Sequence, residues 1–425
     1  MWRKAAAVCL VTAPLALAVA TGVDPALGDD QGYGVYRQHP DATQWHALLL
    51  HWAWTLFVPG LLGLLAPIRQ RGAVLARIAW VAVTVGLVTF SALMAIDFFL
   101  LALEQNLPDA QVRAVDEKFL GLTWTVVGWQ WPGLIGWGLA LILTPVAAAR
   151  GRVISWWTAA AALAGTALYL VFAIAELPVN LLGPVVLAGA YGYAARELLR
   201  RRRVPAAEPD TFGAFRRRAG EIAMIAAPLS LAIGMATVPD ATGDVADSVA
   251  HPTLTQASAF FLHLAWVLFV PAVLHVAAPA RRFTRAAAGV TVLALINFSA
   301  LMLGDSADLA ARQVLDAATA QQVSDTFGGL PLFAYGWALP GMALTLLGLI
   351  AVLAGAAADR LTRWWVAALG VAGVVAFLTL GLGWIGVLGP LLLLAAFGLL
   401  ARDLRRRRVS AGSSSSPVDA LPAAT

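Results

Sequence analysis

Histidine is the residue type whose placement in this chain most suggests chemistry. All six histidines fall in two windows, residues 39–51 and 251–275. His51 and His263 begin two matching apolar segments, HWAWTLFVP and HLAWVLFVP, that lie 212 residues apart. Trp54 and Trp266 follow three positions later, so each shares a helix face with its histidine. Ionisable groups inside such apolar segments are candidates for a functional site.

A second repeated motif combines methionine and aspartate. Met94 and Asp97 match Met302 and Asp305, and the i, i+3 spacing points the sulfur and the carboxylate to the same side of a helix. Histidine, carboxylate and thioether groups suit copper, and a facing histidine pair could hold a haem iron. The metal-binding hypothesis therefore uses His51, Met94, Asp97, His263, Met302 and Asp305, with copper or haem as cofactor. The structural alternative is that Asp97 caps a helix end and His51 forms a hydrogen bond between helices.

Four prolines occupy symmetric positions inside apolar segments. Pro59 matches Pro271, and Pro132 matches Pro340 after a Gly-Trp pair. Proline removes a backbone hydrogen bond and kinks a helix, and interrupted helices in corresponding places indicate a transport site. We predict these four prolines as hinges, although proline also serves packing in membrane helices. The predicted site is a vestibule open to the outside that binds substrate through His51, Trp54, Asp97, His263, Trp266 and Asp305.

The composition identifies the environment of these motifs. The 425 residues are 60% hydrophobic and 12% charged, against about 25% charged in soluble chains. Apolar stretches reach the roughly 20 residues that a helix needs to cross a bilayer. We therefore predict an all-α polytopic membrane protein whose partner is the lipid bilayer. About twelve spans are expected, near residues 5–23, 45–67, 76–103, 125–149, 153–176, 179–199, 219–238, 257–279, 286–304, 333–357, 362–383 and 385–402.

The charges are segregated along the chain. Of the 29 basic residues, 25 fall in short clusters that an even number of spans separates. Because basic loops stay in the cytoplasm, the clusters predict a multi-pass protein of the cytoplasmic membrane with both termini inside. The outer loops then hold 17 of the 24 acidic residues, so no nucleic-acid partner is expected. Arginine and alanine richness is typical of a GC-rich bacterial genome.

The matching segments extend over nearly the whole chain. After the histidine segments, FSALM recurs from Phe90 and Phe298 at a spacing of 208, and Gly183-Pro184 recurs as Gly389-Pro390. Each copy contains six predicted spans, an even number, which predicts two tandem repeats in parallel orientation. Short helices are also predicted outside the membrane near 107–119 and 315–327. The predicted domains are repeats at 1–199 and 219–404, an Arg/Pro-rich linker at 200–218 and a disordered tail at 405–425.

Two features of the first span bear on processing and redox chemistry. The span resembles a secretory signal, but its Ala-Pro-Leu motif at Pro14 recurs internally at Pro228, so we expect the first span to be retained. The single cysteine, Cys9, excludes an intramolecular disulfide and a thiolate metal cluster.

Three functional hypotheses remain open from the sequence. The first is a transporter or permease-like protein for an unknown small solute or cation. The second is a membrane-embedded metal- or haem-binding redox protein, and the third is a non-catalytic scaffold. Phosphate-loop, zinc-protease, nucleophile-elbow and dinucleotide motifs are missing, so a non-enzyme is favoured.

Overall fold

The computed structural model describes residues 2–28, 32–201, 209–239 and 245–413, and its regular elements in these ranges are helical. We call residues 2–201 the first half and residues 209–413 the second half. The first half contains long helical segments at Trp2–Gly22, Pro40–Leu65, Ala73–Asn106, Thr123–Arg150, Trp156–Phe172 and Leu182–Arg200. The second half contains them at Thr211–Ala236, Pro252–Ala277, Arg282–Val314, Pro331–Ala358, Trp364–Thr379 and Leu388–Ser413.

Eight of these segments in the described part of the chain are long and apolar enough to cross a bilayer. The chain is therefore a multi-pass integral membrane protein. The helices Trp156–Phe172 and Trp364–Thr379 are apolar but shorter, at 17 and 16 residues. Leu182–Arg200 has 19 residues, but Arg196, Glu197 and Arg200 lie in its last turns and lower its hydropathy. Each of the twelve predicted spans overlaps one of the helical segments, while the number that crosses the membrane stays a prediction.

The helix ends follow from local sequence. The repeated His-Pro pair is a helix start, because Pro40 and Pro252 occupy the first helical position, where a missing N–H costs nothing. Ser155, Asp210 and Asp316 cap their helices by accepting hydrogen bonds from Thr158, Gly213 and Thr319. The Asp210 cap starts a helix at Thr211, inside the segment predicted as a linker.

Two helices of 12 and 13 residues lie outside the long segments, where short helices were predicted. They span Asp109–Leu120 and Ala317–Gly329. Each packs against the opposite half, the first on Leu303–Val314 and the second on Ala95–Asn106. Phe99 contacts Phe327 across this boundary with ring centroids 6.0 Å apart. This exchange joins the two halves at one end of the bundle.

The two ends of the bundle carry opposite charge. The arginine-rich end joins basic clusters that are distant in sequence, since Arg3 donates to Arg201 O and Thr211 donates to Arg69 O. The acidic end holds the short helices and Asp24, Asp97, Asp109 and Asp116. The last helix continues through Ser413, into the predicted tail, and residues 202–208 and 414–425 lie outside the described residues.

Candidate functional site

His51 and His263 lie in the same local arrangement, one in each half. Both are almost completely buried, with 0% and 2% of the residue exposed. Nδ1 of His51 is 3.0 Å from the carbonyl oxygen of Ser91, and Nδ1 of His263 is 3.0 Å from that of Ser299. Because a carbonyl oxygen only accepts, Nδ1 carries the proton in both rings and Nε2 is left as the acceptor.

Nε2 of each histidine meets a polar side chain from the opposite half. The Thr89 hydroxyl donates to Nε2 of His263 at 3.1 Å. The side-chain amide of Asn297 lies against Nε2 of His51, to which only the NH2 group of that amide can donate. The Thr55 hydroxyl donates to the same nitrogen at 3.3 Å. Thr89 and Asn297 are 208 residues apart and occupy matching helix positions. The two histidines therefore form reciprocal polar contacts between the halves.

Tryptophans from the opposite half cover both histidine rings. Trp337 stacks on His51 with ring centroids 3.5 Å apart, and Trp129 lies against His263 at 4.8 Å. The indole N–H of Trp337 donates to the carbonyl oxygen of Asn297 at 3.1 Å. Each histidine is thus enclosed by one aromatic and one polar side chain of the other half.

Two glutamines form further hydrogen bonds between the halves, closer to the acidic end than the histidines. The side-chain oxygen of Gln44 accepts from the backbone N–H of Leu332, and that of Gln256 accepts from Trp124, both at 3.2 Å. Both acceptors lie one helix turn from the start of their helices, and both donors lie at the start of a segment in the opposite half. Together with the histidine contacts, these bonds close the boundary between the halves over about two helix turns.

Trp54 and Trp266 point away from this boundary into the core of their own half. Trp54 is 1% exposed, as is Trp266, and it packs with Phe57, Phe90 and Trp137. Trp266 packs with Phe269, Phe298 and Phe377 in the same way. Histidine and tryptophan were predicted to share one helix face. In the structure the histidine faces the boundary between the halves, whereas the tryptophan faces the core of its own half.

Asp97 belongs to a different cluster at the acidic end. His46 Nδ1 donates to Ala20 O at 2.9 Å, and its Nε2 lies 3.7 Å from Asp24 and 3.8 Å from Asp97. The Tyr36 hydroxyl reaches Asp97 at 3.5 Å, and this carboxylate, followed by burial, raises the pKa of Tyr36 above its usual range.

No equivalent histidine cluster is found among the described residues of the second half, because Ser258 stands where the first half has His46. Its hydroxyl donates to Gly234 O at 2.9 Å, and Asp305 is exposed. The sequence symmetry of Asp97 and Asp305 does not extend to their surroundings.

The predicted vestibule is closed in this structure. His51 and Trp54 are buried because Trp337 and the aromatic core cover them, so the described residues leave neither side chain open to the acidic end. Within the described residues, no group of three or more histidine, cysteine, aspartate or glutamate side chains is arranged to hold a metal ion. Met94 and Met302 instead pack, partly buried, against the hydrophobic core.

A cavity of about 450 Å³ lies on the other side of the closed boundary, toward the arginine-rich end. Both halves line it, and Pro59 and Pro271 form matching parts of its wall. Ala66, Arg217 and Ala278 at its edge are exposed, so the cavity opens to this end. Its other lining residues include Trp2, Arg3, Leu62, Trp80, Arg216 and His275.

Two of the four predicted hinge prolines, Pro132 and Pro340, lie next to irregular helical turns. Pro59 and Pro271 lie inside continuous helices, whereas Pro132 and Pro340 each follow a π-helical turn, Val126–Gln130 and Ala334–Ala338. A π turn leaves room for the proline ring and marks a point where a helix bends. Both π turns contain the tryptophan that covers a histidine, Trp129 or Trp337.

Sequence reasoning missed several residues of the boundary. Asn297 is a lone amide within an apolar span, and a polar side chain there signals a hydrogen bond between helices. Trp129 and Trp337 lie in the Gly-Trp repeat but were considered only as neighbours of proline. His46 and Asp24 carried no repeat signal, because the second half lacks them.

Comparison of the chain with protein-family models, curated proteins and solved structures found no match. The fold and the site therefore define the class: a helical, multi-pass integral membrane protein.

Proposed function

We propose that this protein is a permease of the cytoplasmic membrane that moves a small solute between two six-helix halves. The reciprocal bonds of Gln44 and Gln256, and of His51 and His263, support an origin by tandem duplication. Twelve spans and a parallel arrangement of the halves follow if the remaining four long helical segments also cross the bilayer. The basic clusters then place the arginine-rich end and both termini in the cytoplasm.

The observation that carries this proposal is the difference between the two sides of the boundary. Toward the acidic end, buried histidines, tryptophans and glutamines close the passage between the halves. Toward the arginine-rich end, the same boundary widens into a cavity of about 450 Å³, a size typical of ligand sites. A carrier that is closed on one side and open on the other has this arrangement.

The residues predicted to bind the solute take other roles in this proposal. His51 and His263 close the outer gate, and Trp54 and Trp266 anchor that gate to the core of each half. Pro59, Pro132, Pro271 and Pro340 are the points at which the helices bend when the gate opens. The acidic end, with Asp97 and Asp305, faces outward and sets the local potential.

Permease function is favoured over metal or haem binding for a geometric reason. Nε2 is the ring nitrogen that remains to bind a metal, because Nδ1 donates to a backbone carbonyl in both histidines. In His51 this nitrogen faces Asn297, and in His263 it accepts a hydrogen bond from Thr89. A ligand to iron or copper needs a free ring nitrogen directed at the metal. Trp337 also lies flat on the His51 ring, in the space that a second ligand would approach.

Cysteine labelling in sealed vesicles tests the proposal without a known substrate. In a Cys9→Ser background, Leu62→Cys places a thiol in the cavity and Leu48→Cys places one in the closed boundary beside Gly336. A membrane-impermeant maleimide is then applied from each side. Trp45→Cys, at an exposed position, and Leu61→Cys, in the core, are the accessible and inaccessible controls.

We expect Leu62→Cys to react from the arginine-rich side. Leu48→Cys should react slowly from the acidic side, because the gate opens as the halves move. A bulky label at Leu62→Cys should lower the labelling rate of Leu48→Cys in the same chain. The filled cavity holds the halves apart at the arginine-rich end and so keeps the boundary toward the acidic end closed. A Leu48→Cys rate equal to that of Leu61→Cys would indicate a static protein and overturn the proposal.

A further inference from the structure

We infer that the cavity between the halves binds an amphipathic anion, a molecule with one phosphate or carboxylate head and an apolar chain. This inference rests on the proposed function, because it takes the cavity as the solute site. The walls of the cavity, its charges and its position at the end of the bundle together support this inference.

The walls of the cavity suit an apolar chain. Pro59, Leu62, Pro271 and Leu274 line its inner part. Gly289 also lines it, and a methyl group added there would meet only Trp2, at 3.9 Å. The space beside Gly289 can therefore accept apolar atoms without moving the backbone.

The charged side chains that line the cavity are cationic, and no carboxylate is among the lining residues in the described part of the chain. Arg3, Arg216 and Arg217 approach from two helices. Arg216 stacks over the ring of Phe212 at 4.9 Å, and its buried Nε has no hydrogen-bond partner among the described residues. Arginine donates in a planar fork that matches phosphate and carboxylate groups. An anionic head group would supply the acceptor that Nε of Arg216 lacks.

Nearby acidic groups leave most of this positive charge uncompensated. Asp210 lies 3.9 Å from Arg217, and its other oxygen is already used in capping a helix. Glu221 is paired with Arg405 and Arg408 outside the cavity lining. His275 is a neutral neighbour, because its Nε2 lies 3.2 Å from a guanidinium nitrogen of Arg408, which can only donate.

Two other features of the molecule are weaker candidates for a ligand site. The cluster of Asp24, His46 and Asp97 already has its hydrogen bonds within the protein, and the crevice around Arg71, Arg150 and Arg200 is open surface. The cavity, in contrast, is lined by both halves and combines an apolar interior with a cationic mouth.

Native mass spectrometry of the full chain in detergent tests the inference with three named probes: oleate, dioleoyl phosphatidic acid and oleyl alcohol. We expect one oleate or phosphatidic acid molecule per chain and at least tenfold weaker binding of oleyl alcohol. Binding of phosphatidic acid without oleate would assign the ligand to the bilayer, and binding of both would admit a free amphipathic anion. Either result supports the inference.

Two variants locate the site. Arg216→Gln should weaken anion binding at least tenfold, while Arg363→Gln, an exposed arginine at the same end, should leave it unchanged. Gly289→Leu should fill the cavity and abolish binding with every arginine retained. Gly138→Leu is its matched control, because nothing lies within 4 Å of a methyl group added there.

Equal binding of oleyl alcohol and oleate, or unchanged binding by Gly289→Leu, would overturn the inference. If Arg216→Gln fails to fold, Gly289→Leu still decides the question. The labelling experiment uses no ligand, so a permease for neutral solutes would pass that test and fail this one. A static binding protein would show the reverse.

Discussion

The imidazole of His51 lies nearly parallel to the indole of Trp337, with ring centroids 3.5 Å apart and an angle of 18° between the planes. One ring comes from each half of the molecule. The matching pair of His263 and Trp129 has centroids 4.8 Å apart and an angle of 37°. The boundary therefore contains two equivalent histidine–tryptophan pairs, and the pair of His51 and Trp337 is packed more closely than the pair of His263 and Trp129.

The polar contact between His51 and Asn297 should be measurable as an energetic coupling. We expect the double variant His51→Ala/Asn297→Ala to be more stable than the sum of the single effects predicts, by about 0.6–1.7 kcal/mol, the range for hydrogen bonds between membrane helices. The measurement is unfolding in mixed detergent micelles. His51→Ala with Thr166→Ala, whose hydroxyl bonds within its own helix, should be additive. Additivity in both pairs would show that the contact contributes nothing.

Trp337 should contribute strongly to the stability of the closed boundary. Trp337→Ala removes a fully buried indole together with the N–H group that donates to the carbonyl oxygen of Asn297. This loss should lower the free energy of unfolding by about 3–5 kcal/mol. Trp131 lies in the first half, two residues after Trp129, and its side chain is exposed. Trp131→Ala should therefore change the free energy of unfolding by less than about 0.5 kcal/mol. Similar losses for both variants would contradict burial of Trp337 at the boundary.

Gly86 and Gly136 allow two helices of the first half to touch through their backbones. A methyl group added at Gly86 would lie 2.2 Å from the Cα of Gly136. Gly86→Ala must therefore push the helices apart, and we expect a destabilisation of about 1–3 kcal/mol. Gly138→Ala is the control, since it meets nothing within 4 Å. A melting temperature for Gly86→Ala at or above that of Gly138→Ala would disprove this crossing.

Tyr33, outside the membrane-spanning segments, should report on a contact at the acidic end by its titration. Burial, and then the hydrogen bond to Asp116 at 2.9 Å and the charge of that carboxylate, raise the pKa of Tyr33 to about 12. The folded state holds this proton more tightly than the unfolded state, so the contact loses stability as pH rises from about 10 to 12.

Asp116→Asn should lower the pKa of Tyr33 toward 10, because the negative charge is removed. The phenolate absorbance is followed with pH, and the difference from a Tyr33→Phe variant isolates this residue. Titration of Tyr33 at the same pH in the wild-type protein and in Asp116→Asn would show that the carboxylate has no effect on it.

Much of the architecture is readable from the sequence because membrane helices follow from local hydropathy. The predicted spans near 45–67 and 257–279 correspond to the helices Pro40–Leu65 and Pro252–Ala277, and each begins earlier because proline starts it. The short helices after Pro108 and Leu315 were likewise predicted from apolar spacing. The π turns before Pro132 and Pro340 were predicted only as kinks, since hydropathy does not distinguish helix types.

The site was less predictable, because it depends on which helix face meets which neighbour. His51 and Trp54 share a face by spacing, yet one points to the other half and the other to its own core. Asp97 and Asp305 match in sequence, yet only Asp97 meets a histidine, because Ser258 replaces His46 in the second half. The cavity at Pro59 and Pro271 required the positions of both halves, which no local pattern specifies.

The most direct test of the account is a pair of distances measured by electron spin resonance on the full chain in liposomes. Spin labels at Asp41→Cys and Thr253→Cys report on the acidic end, and labels at Gln70→Cys and Arg282→Cys report on the arginine-rich end, all at exposed positions in a Cys9→Ser background. If the two ends open in alternation, each label pair should show two distance populations. Gly289→Leu should then shift these populations in opposite senses, toward shorter distances at one end and longer distances at the other. A single unchanged distance at both ends, in the presence and absence of that substitution, would contradict this alternation.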